Sequence, residues 1–199
     1  MQTNNTLENL IESLKCLPGV GPKSALRLAY YLLQRDRKGA HKLANSIEES
    51  LSKLGHCKLC NNFSEKEICS ICESPNRITD TLCVVEMPTD LLMFEQTRSY
   101  KGMYFVLMGR LSPLDGIGPK EIHINKLLER IKKSEINEII LATNFTTEGN
   151  TTAQYIAELL KESKINITRI ARGLPMGGEI EYIDSGTLAQ SIVERKKLI

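Results

Sequence analysis

Residues 57–72 read Cys57-Lys58-Leu59-Cys60-Asn61-Asn62-Phe63-Ser64-Glu65-Lys66-Glu67-Ile68-Cys69-Ser70-Ile71-Cys72 and contain two Cys-x-x-Cys pairs. Two such pairs in tight turns bring four thiolates to one point, which is the tetrahedral set that zinc prefers, with Zn–S distances of about 2.3 Å. Four protein ligands leave no open coordination position, which a catalytic zinc would need. The sequence therefore predicts one structural zinc ion bound by Cys57, Cys60, Cys69 and Cys72.

The paired cysteines have three other interpretations: redox-active pairs, disulfides or core thiols. A thioredoxin-like pair follows a strand and opens a helix, and we expect neither pair to do so. The N-terminus shows no secretory pattern, and disulfides are rare in the reducing compartment that this implies. Cys16 and Cys83 are expected to be core residues, on a helix and a strand. His56 is interpreted as a neighbour of the zinc site rather than a ligand.

Bulk composition limits the class of protein. The chain has 199 residues, 25% of them charged, and a net charge of +2. This charge excludes a histone-like polycation but not nucleic-acid binding, which depends on whether basic side chains share one surface. No apolar run approaches the roughly 20 residues needed to span a bilayer.

The segment before the cysteines, residues 1–54, is predicted to be all-helical. Three apolar stripes at helical spacing are Leu7, Leu10, Ile11, Leu14 and Leu17; Ala25, Leu28, Ala29 and Leu32; and Leu43, Ile47, Leu51 and Leu54. No helix can cross the segment from Pro18 to Pro22, and Pro22 suits the first turn of the second helix.

The turn Leu17-Pro18-Gly19-Val20-Gly21-Pro22-Lys23 joins the first two helices. Gly19 and Gly21 let another chain approach the backbone closely. Backbone N–H groups there can bind phosphate without reading sequence, and Lys23 and Arg27, one helical turn apart, add positive charge. The alternative is an ordinary helix–helix turn with solvated basic residues.

The segment after the cysteines alternates strands with helices, which predicts a mostly parallel sheet covered on both faces. Predicted strands are 82–85, 104–107, 139–142 and 165–170, and predicted helices are 90–96, 123–131, 151–160 and, after the last strand, 187 to about 196.

Acidic residues follow two of these strands. Glu86 comes just after the first strand, Asp90 one helical turn later, and Glu148 in the loop after the third. Loops at the carboxyl ends of parallel strands converge on ligand sites, and carboxylates meeting there can bind Mg²⁺. The alternative is that all three are ordinary loop acids. The turn-rich loops 111–119 and 172–179 are each interpreted as a binding loop or a structural connection.

The motifs together resemble the bacterial recombination mediator (RecR) family over essentially the whole chain. They are residues 17–25 (LPGVGPKSA), the four-cysteine cluster, 112–119 (SPLDGIGP), 140–144 (ILATN) and 170–178 (IARGLPMGG).

This resemblance implies a multidomain α+β and α/β protein. Its domains are a helix-hairpin-helix DNA-binding domain (1–54), a four-cysteine zinc finger (55–79), a Toprim domain (80–172) and a C-terminal glycine-rich loop and helix (173–199) expected to support oligomerisation. The resemblance also implies a dimer building to a ring-like tetramer, and a cytoplasmic, nucleoid-associated protein.

The same resemblance implies a non-enzymatic mediator of recombinational DNA repair. It would act with RecO and RecF to help RecA replace single-strand-binding protein on DNA. Lys23 and Arg27 match the family's basic DNA-contact positions, and Gly19 and Gly21 of the hairpin are expected to belong to the same DNA-binding site. The Toprim acidic positions, linked to partner binding, are matched by Glu86, Asp90 and Glu148.

The chain departs from the family in places. The family usually has Pro where Phe145 stands and an acid where Asn150 stands, and catalytic Toprim enzymes carry an Asp-x-Asp that is absent here. An alternative hypothesis is a Mg²⁺-dependent Toprim nuclease or primase, although such chemistry needs a fuller carboxylate set. A further alternative assigns a nucleotide site to Gly173–Gly178, without the loop that ATP hydrolysis requires.

Overall fold

The computed structural model describes residues 6–175, 177–195 and 197 and divides the chain into two compact units, residues 1–54 and 55–199. The two predicted terminal domains therefore extend beyond the described residues at both ends. Within them, Met176 of the glycine-rich loop and Lys196, the predicted end of the last helix, also lie outside the described residues.

The described residues of the first unit form three helices: α1 (Thr6–Leu14), α2 (Pro22–Gln34) and α3 (Arg37–Lys53). Pro22 occupies the first turn of α2, as predicted, because its missing N–H has no intrahelical acceptor there. Asp36 begins α3 by accepting a 2.8 Å hydrogen bond from the Gly39 N–H. The all-helical prediction is confirmed for residues 6–54.

Few side chains of this unit are buried within one chain. Among its described residues only Ala25 and Ala29 are buried, whereas Ile47 and Leu51 of the predicted third stripe remain 52% and 81% exposed. Cys16 is also exposed, in the turn after α1. Its prediction as a core residue on a helix is wrong because α1 ends at Leu14, before reaching it.

The second unit begins with the cysteine segment. Strands β1 (Gly55–His56) and β2 (Phe63–Ser64) pair antiparallel, and the single turn α4 (Ser70–Glu73) follows. Cys69 is the N-cap of α4. The second cysteine pair therefore opens a helical turn, but residues 65–68 separate it from β2, so it does not directly follow a strand as a thioredoxin-like pair does.

A four-stranded sheet forms the centre of the second unit. Its strands are β3 (Ile78–Val85), β4 (Gly102–Val106), β5 (Glu138–Ala142) and β6 (Asn166–Arg169). They are all parallel, in the order β4-β3-β5-β6, so that β3 lies between β4 and β5. The four predicted strands and their parallel arrangement are confirmed.

Connecting helices cover both faces of this sheet: α5 (Pro88–Thr97), α6 (Ile124–Lys132) and α7 (Thr147–Leu159). Leu127 of α6 and Ile156 of α7 belong to the apolar cluster on one face. Leu91 of α5 belongs to the cluster on the other, together with the buried Cys83. Because neighbouring residues of a strand point to opposite faces, the apolar run of residues 82–85 in the second half of β3 fits a strand that is buried on both sides there.

The C-terminal part contains the helix α8 (Ser185–Val193). It begins two residues earlier than predicted because Asp184 caps it, accepting a 2.8 Å hydrogen bond from the Thr187 N–H. None of the helices in the described part of the chain has the length and apolar character that crossing a membrane requires.

Candidate zinc centre, DNA interface and acidic sheet end

The four predicted zinc ligands converge. The Sγ atoms of Cys57, Cys60, Cys69 and Cys72 all lie within 4.8 Å of one another, and the first three residues are buried. A tetrahedral zinc site with Zn–S distances of about 2.3 Å places its sulphur atoms about 3.8 Å apart. The cluster therefore has the size that one zinc ion requires.

Backbone hydrogen bonds orient these sulphur atoms. The Cys69 N–H donates to the Cys57 Sγ at 3.3 Å. Asn61 adopts a positive φ of 60° directly after Cys60, and its N–H donates to the Cys57 carbonyl at 2.9 Å. This closes a tight knuckle around the first cysteine pair, because a positive φ reverses the chain within a few residues.

The pKa values of the thiols indicate that the cluster needs a cation. Burial opposes ionisation of Cys57, but backbone N–H groups of Cys60, Cys69 and Leu59 lower its pKa to about 7. A hydrogen bond with Cys72 and burial raise the pKa of Cys60, and burial followed by its cysteine neighbours raises the pKa of Cys69 to about 11. Four thiolates this close repel one another unless a cation lies between them, and zinc is such a cation. The four cysteines thus fit a structural zinc ion.

His56 does not join the ligand set. Its Nδ1 lies 3.0 Å from the Asn61 carbonyl oxygen, and its ring stacks on Phe63. The converging donor atoms in the described part of the chain are those of the four cysteines.

The zinc knuckle lies against the edge strand of the sheet. The Val106 N–H donates to the Cys60 carbonyl at 2.8 Å, and Asn61 Nδ2 donates to the Val106 carbonyl at 2.8 Å. These two bonds extend the ladder of β4, whose outer side would otherwise present unpaired backbone groups. The metal site thereby covers one edge of the sheet.

Arg130 of α6 reinforces this junction. Its side chain is buried, and Nη1 donates to the Leu59 carbonyl at 2.6 Å and the Tyr104 carbonyl at 2.5 Å. One guanidinium group therefore links the first cysteine turn to β4. Sequence reasoning missed it, although a charged residue three positions after Leu127, on the apolar face of α6, was the available signal.

The glycine hairpin leaves its backbone open. Gly19 has a φ of +77°, and Gly21, with an extended backbone, is the N-cap of α2 without a side-chain cap. A Cβ added at either glycine would meet no atom within 4 Å. The N–H groups of Lys23 and Ser24 lie in the first helical turn, where no intrahelical acceptor exists. This geometry is able to receive an anion at the start of α2.

Lys23 and Arg27 are exposed on α2, one turn apart. In the described part of the chain, no carboxylate forms an ion pair with either side chain. Their charges are therefore uncompensated within the described chain and lie on the same helix as the open hairpin.

At the acidic end of the sheet, Glu86 is hydrogen-bonded to Asn144, a partner that the sequence did not predict. Glu86 is 2% exposed, and its Oε1 and Oε2 accept hydrogen bonds from the N–H of Asn144 at 2.9 Å and from its Nδ2 at 2.7 Å. The two residues follow β3 and β5, which are neighbours in the sheet. A Cβ at Gly149 would lie 2.6 Å from Oε1 of Glu86, so that glycine allows the close approach.

The other two acids are also held locally. Asp90 Oδ2 accepts a 2.8 Å hydrogen bond from the Met87 N–H at the start of α5. Hydrogen bonds from its own backbone N–H and from the Thr146 hydroxyl lower the pKa of Glu148, which lies in the first turn of α7. Among the described residues, the three carboxylates do not form a converging group of metal ligands. Asn144 was missed as a partner, although its position after a neighbouring strand was the available signal.

The two turn-rich loops differ. In the loop 111–119, Ser112 pairs with Ile117, and Leu114 at the tip is 99% exposed. In the second loop, Arg172 contacts the ring of Phe145, with its Cζ 4.7 Å from the ring centroid. As far as the chain is described, neither loop contributes to a converging metal site.

Comparison with known proteins covers the same parts of the chain. Family models match residues 7–51 (RecR, helix-hairpin-helix), 54–74 (RecR, four-cysteine zinc finger domain), 80–171 (Toprim domain) and 173–196 (RecR, C-terminal). A curated relative, "Recombination protein RecR" of Chromobacterium violaceum, is 55% identical over 196 residues, which covers 98% of this chain and 99% of the relative. With its converging cysteines, open glycine hairpin and parallel Toprim sheet, the chain belongs to the RecR family.

Proposed function

We propose that this protein is a DNA-binding recombination mediator in recombinational DNA repair. The observation that carries the proposal is the hairpin of the first unit, where the start of α2, without a side-chain cap, lies next to the exposed basic side chains of Lys23 and Arg27. Such a site attracts phosphate without contacting bases, so affinity falls steeply with salt and varies little with sequence. Gly19 and Gly21 provide the open backbone.

Its role is to act with RecO and RecF, in the cytoplasm at the nucleoid, helping RecA load onto DNA coated with single-strand-binding protein. We assign partner binding to the acidic end of the sheet, which carries Glu86, Asp90 and Glu148. Asp90 and Glu148 are the acids best suited to it, because Glu86 is buried and both of its oxygens accept hydrogen bonds from Asn144. This division of roles gives DNA and protein partners separate domains, with the boundaries given above.

A homo-oligomer, dimer or ring-like tetramer, is part of the proposal. Its support is the first unit, whose α3 exposes Leu43, Ile47 and Leu51 at successive turns of one face. Contiguous exposed apolar surface of this kind favours association, and several weak DNA modules in one assembly gain avidity. The C-terminal segment is proposed to contribute to the same assembly.

We propose no catalytic role for the Toprim domain. A Mg²⁺-dependent nuclease or primase requires carboxylates free to hold metal. Both oxygens of Glu86, which follows the central strand β3, instead accept hydrogen bonds from Asn144. Incubation with Mg²⁺ and nicked or single-stranded DNA is expected to leave the DNA unchanged, and cleavage or primer synthesis would contradict this part of the proposal.

The direct test is a gel-shift titration with the double variant Lys23→Glu/Arg27→Glu. We expect the gel shift to be lost at the protein concentrations that saturate it in the parent, while far-UV circular dichroism and zinc content stay those of the parent. The matched control is Lys132→Glu/Lys133→Glu, which reverses two exposed charges on the other unit. Equal DNA affinity of the hairpin variant and the parent would rule out the hairpin as the DNA site.

A further inference from the structure

Two arginine side chains share the ring of Phe145. The Cζ atoms of Arg169 and Arg172 each lie 4.7 Å from the ring centroid. Phe145 follows β5, whereas Arg169 ends β6 and Arg172 comes three residues later, so the group is built from two neighbouring strand ends. One aromatic ring therefore holds two guanidinium groups close together.

The charge of Arg169 is poorly compensated. Its Nη2 donates to the Asn144 carbonyl at 3.2 Å and to Thr143 Oγ1 at 3.5 Å, while its Nε is buried and has no hydrogen-bond partner among the described residues. Burial and the nearby charge of Arg172 lower the pKa of Arg169, and the carboxylates of Glu86 and Glu194 offset this only in part. An enclosed guanidinium N–H without an acceptor is unfavourable, so a negative charge nearby would stabilise this arrangement.

The polar contacts of Arg172 are also long. Its Nη2 reaches Asn150 Oδ1 at 3.4 Å, and its Nε lies 3.9 Å from a carboxylate oxygen of Glu194. That carboxylate is partly exposed and already accepts a 2.6 Å hydrogen bond from Gln190, so the ion pair contributes little. By contrast, Nη1 of Arg130 donates to two carbonyl groups at 2.5–2.6 Å.

Arg172 also lines an open pocket, together with Phe145, Asn150, Thr187 and Ser191. Asp184 lies on the pocket wall, but both of its carboxylate oxygens accept hydrogen bonds from Thr187 within the first turn of α8. Among the described residues that line the pocket, the guanidinium of Arg172 is therefore the positively charged group available to an anion. A planar guanidinium binds phosphate through two parallel hydrogen bonds, and a second cation behind it strengthens that attraction.

We propose that Phe145, Arg169 and Arg172 form a phosphate-binding site on the second unit, separate from the hairpin. Arg172 contacts the phosphate, Phe145 fixes both guanidinium groups, and Arg169 supplies the second positive charge. The phosphate belongs to a single-stranded nucleic acid backbone or to a free nucleotide. Basic side chains beside an aromatic ring are typical of single-strand binding. Only the choice of DNA as a phosphate source rests on the proposed function.

The test uses the full-length, zinc-loaded protein carrying 4-fluorophenylalanine. The chain has four phenylalanines, so the ¹⁹F spectrum is simple, and the Phe145 resonance is the one lost in Phe145→Leu. The probes are inorganic phosphate, thymidine 5′-monophosphate and oligodeoxythymidine. We expect a saturable shift of the Phe145 resonance, both in the parent and in the Lys23→Glu/Arg27→Glu background.

Two variants make the test specific. Arg172→Gln removes the contacting cation, and Asn150→Asp keeps both arginines but gives Arg172 a carboxylate of nearly the same shape. Each is expected to weaken the titration by about tenfold, in the range of a lost charge-assisted pair. Lys132→Gln, an exposed change on α6, should leave it unchanged. If Arg172→Gln does not fold, Asn150→Asp provides the test by itself.

The probes separate the two phosphate sources. Equal affinities for the nucleotide and the oligonucleotide identify a free nucleotide, and a response to the oligonucleotide alone identifies the nucleic acid backbone; either supports the phosphate site. A Phe145 resonance that responds to no probe overturns it, as does a titration that both variants leave unchanged. Full DNA affinity of the hairpin variant, with the Phe145 shift intact, would instead contradict the proposed hairpin function alone.

Discussion

Both carboxylate oxygens of Glu86 accept hydrogen bonds from one residue, Asn144, although the two lie 58 positions apart in the chain. The contact joins the carboxyl ends of β3 and β5, neighbouring strands at the centre of the sheet. Open parallel sheets commonly bind ligands at this end. Here the carboxylate instead holds the chain that leads into α7.

Replacing Glu86 by Gln tests this assignment. A glutamine cannot accept both hydrogen bonds and turns an N–H₂ group toward Asn144, so we expect the free energy of unfolding to fall by about 1–3 kcal/mol. Urea unfolding measures the change. Asp90→Asn, at an exposed helix start, is the matched control and should cost about 1 kcal/mol or less.

The variant Glu86→Gln also tests whether Glu86 is a metal ligand or a structural acid. We expect Mg²⁺ to leave the melting temperature of the parent unchanged, because a ligand stabilises only the state that binds it. A Mg²⁺-dependent rise in the parent that disappears in Glu86→Gln would show that Glu86 binds metal.

Arg130 should link zinc retention to the stability of the sheet. Arg130→Met keeps the apolar stem but leaves the carbonyls of Leu59 and Tyr104 without their shared donor. We expect a loss of about 3 kcal/mol in urea unfolding and faster zinc release to a chromogenic chelator. Lys132→Met, on the exposed side of the same helix, should change neither quantity, and unaltered zinc release in Arg130→Met would contradict the link.

Removing zinc should expose the edge of β4. Without the metal the knuckle loses its fixed shape, and the Val106 N–H and carbonyl lose their partners Cys60 and Asn61. We expect chelation, or Cys→Ala at any of the four ligands, to raise amide hydrogen exchange in residues 102–106 and to reduce solubility. Exchange in the central β5 is the internal control. A stable, soluble, zinc-free protein with unchanged exchange in β4 would contradict a structural zinc.

Gly21→Ala separates DNA contact from folding. The backbone of Gly21 is extended (φ −81°), and an added Cβ meets no atom within 4 Å, so the fold should tolerate alanine. A methyl group at the start of α2 would nevertheless keep a phosphate away from the N–H groups. We expect DNA affinity to fall by about tenfold with an unchanged melting temperature. Gly55→Ala, also uncrowded but outside the hairpin, is the control.

The apolar face of α3 should hold the oligomer together. Ile47 and Leu51 are exposed, so Ile47→Glu/Leu51→Glu removes no buried contact within one chain. We expect light scattering to show smaller particles at unchanged helix content, and DNA affinity to fall as avidity is lost. Lys42→Glu, an exposed charge reversal on the same helix, should leave the particle size unchanged. An unaltered oligomer in the double variant would exclude this face as the interface.

Local features of the sequence determined much of this protein. The spacing of the cysteines predicted the zinc cluster, Pro22 predicted the start of α2, and apolar runs predicted the four parallel strands, because each depends on residues close together in the chain. Cys16 shows the limit of periodicity, since a helix boundary two residues away changed a predicted core residue into an exposed one.

Contacts between distant segments were decided by the tertiary structure alone. The pairing of Glu86 with Asn144, the Arg130 link between the zinc knuckle and β4, and the two arginines on Phe145 all join residues from different elements. Composition and periodicity fix which side chains a strand or helix offers, but strand order and helix docking decide which of them meet. For this reason the sequence alone identified the zinc ligands, whereas only the fold revealed that the acid after β3 is already engaged and that two arginines gather on one aromatic ring.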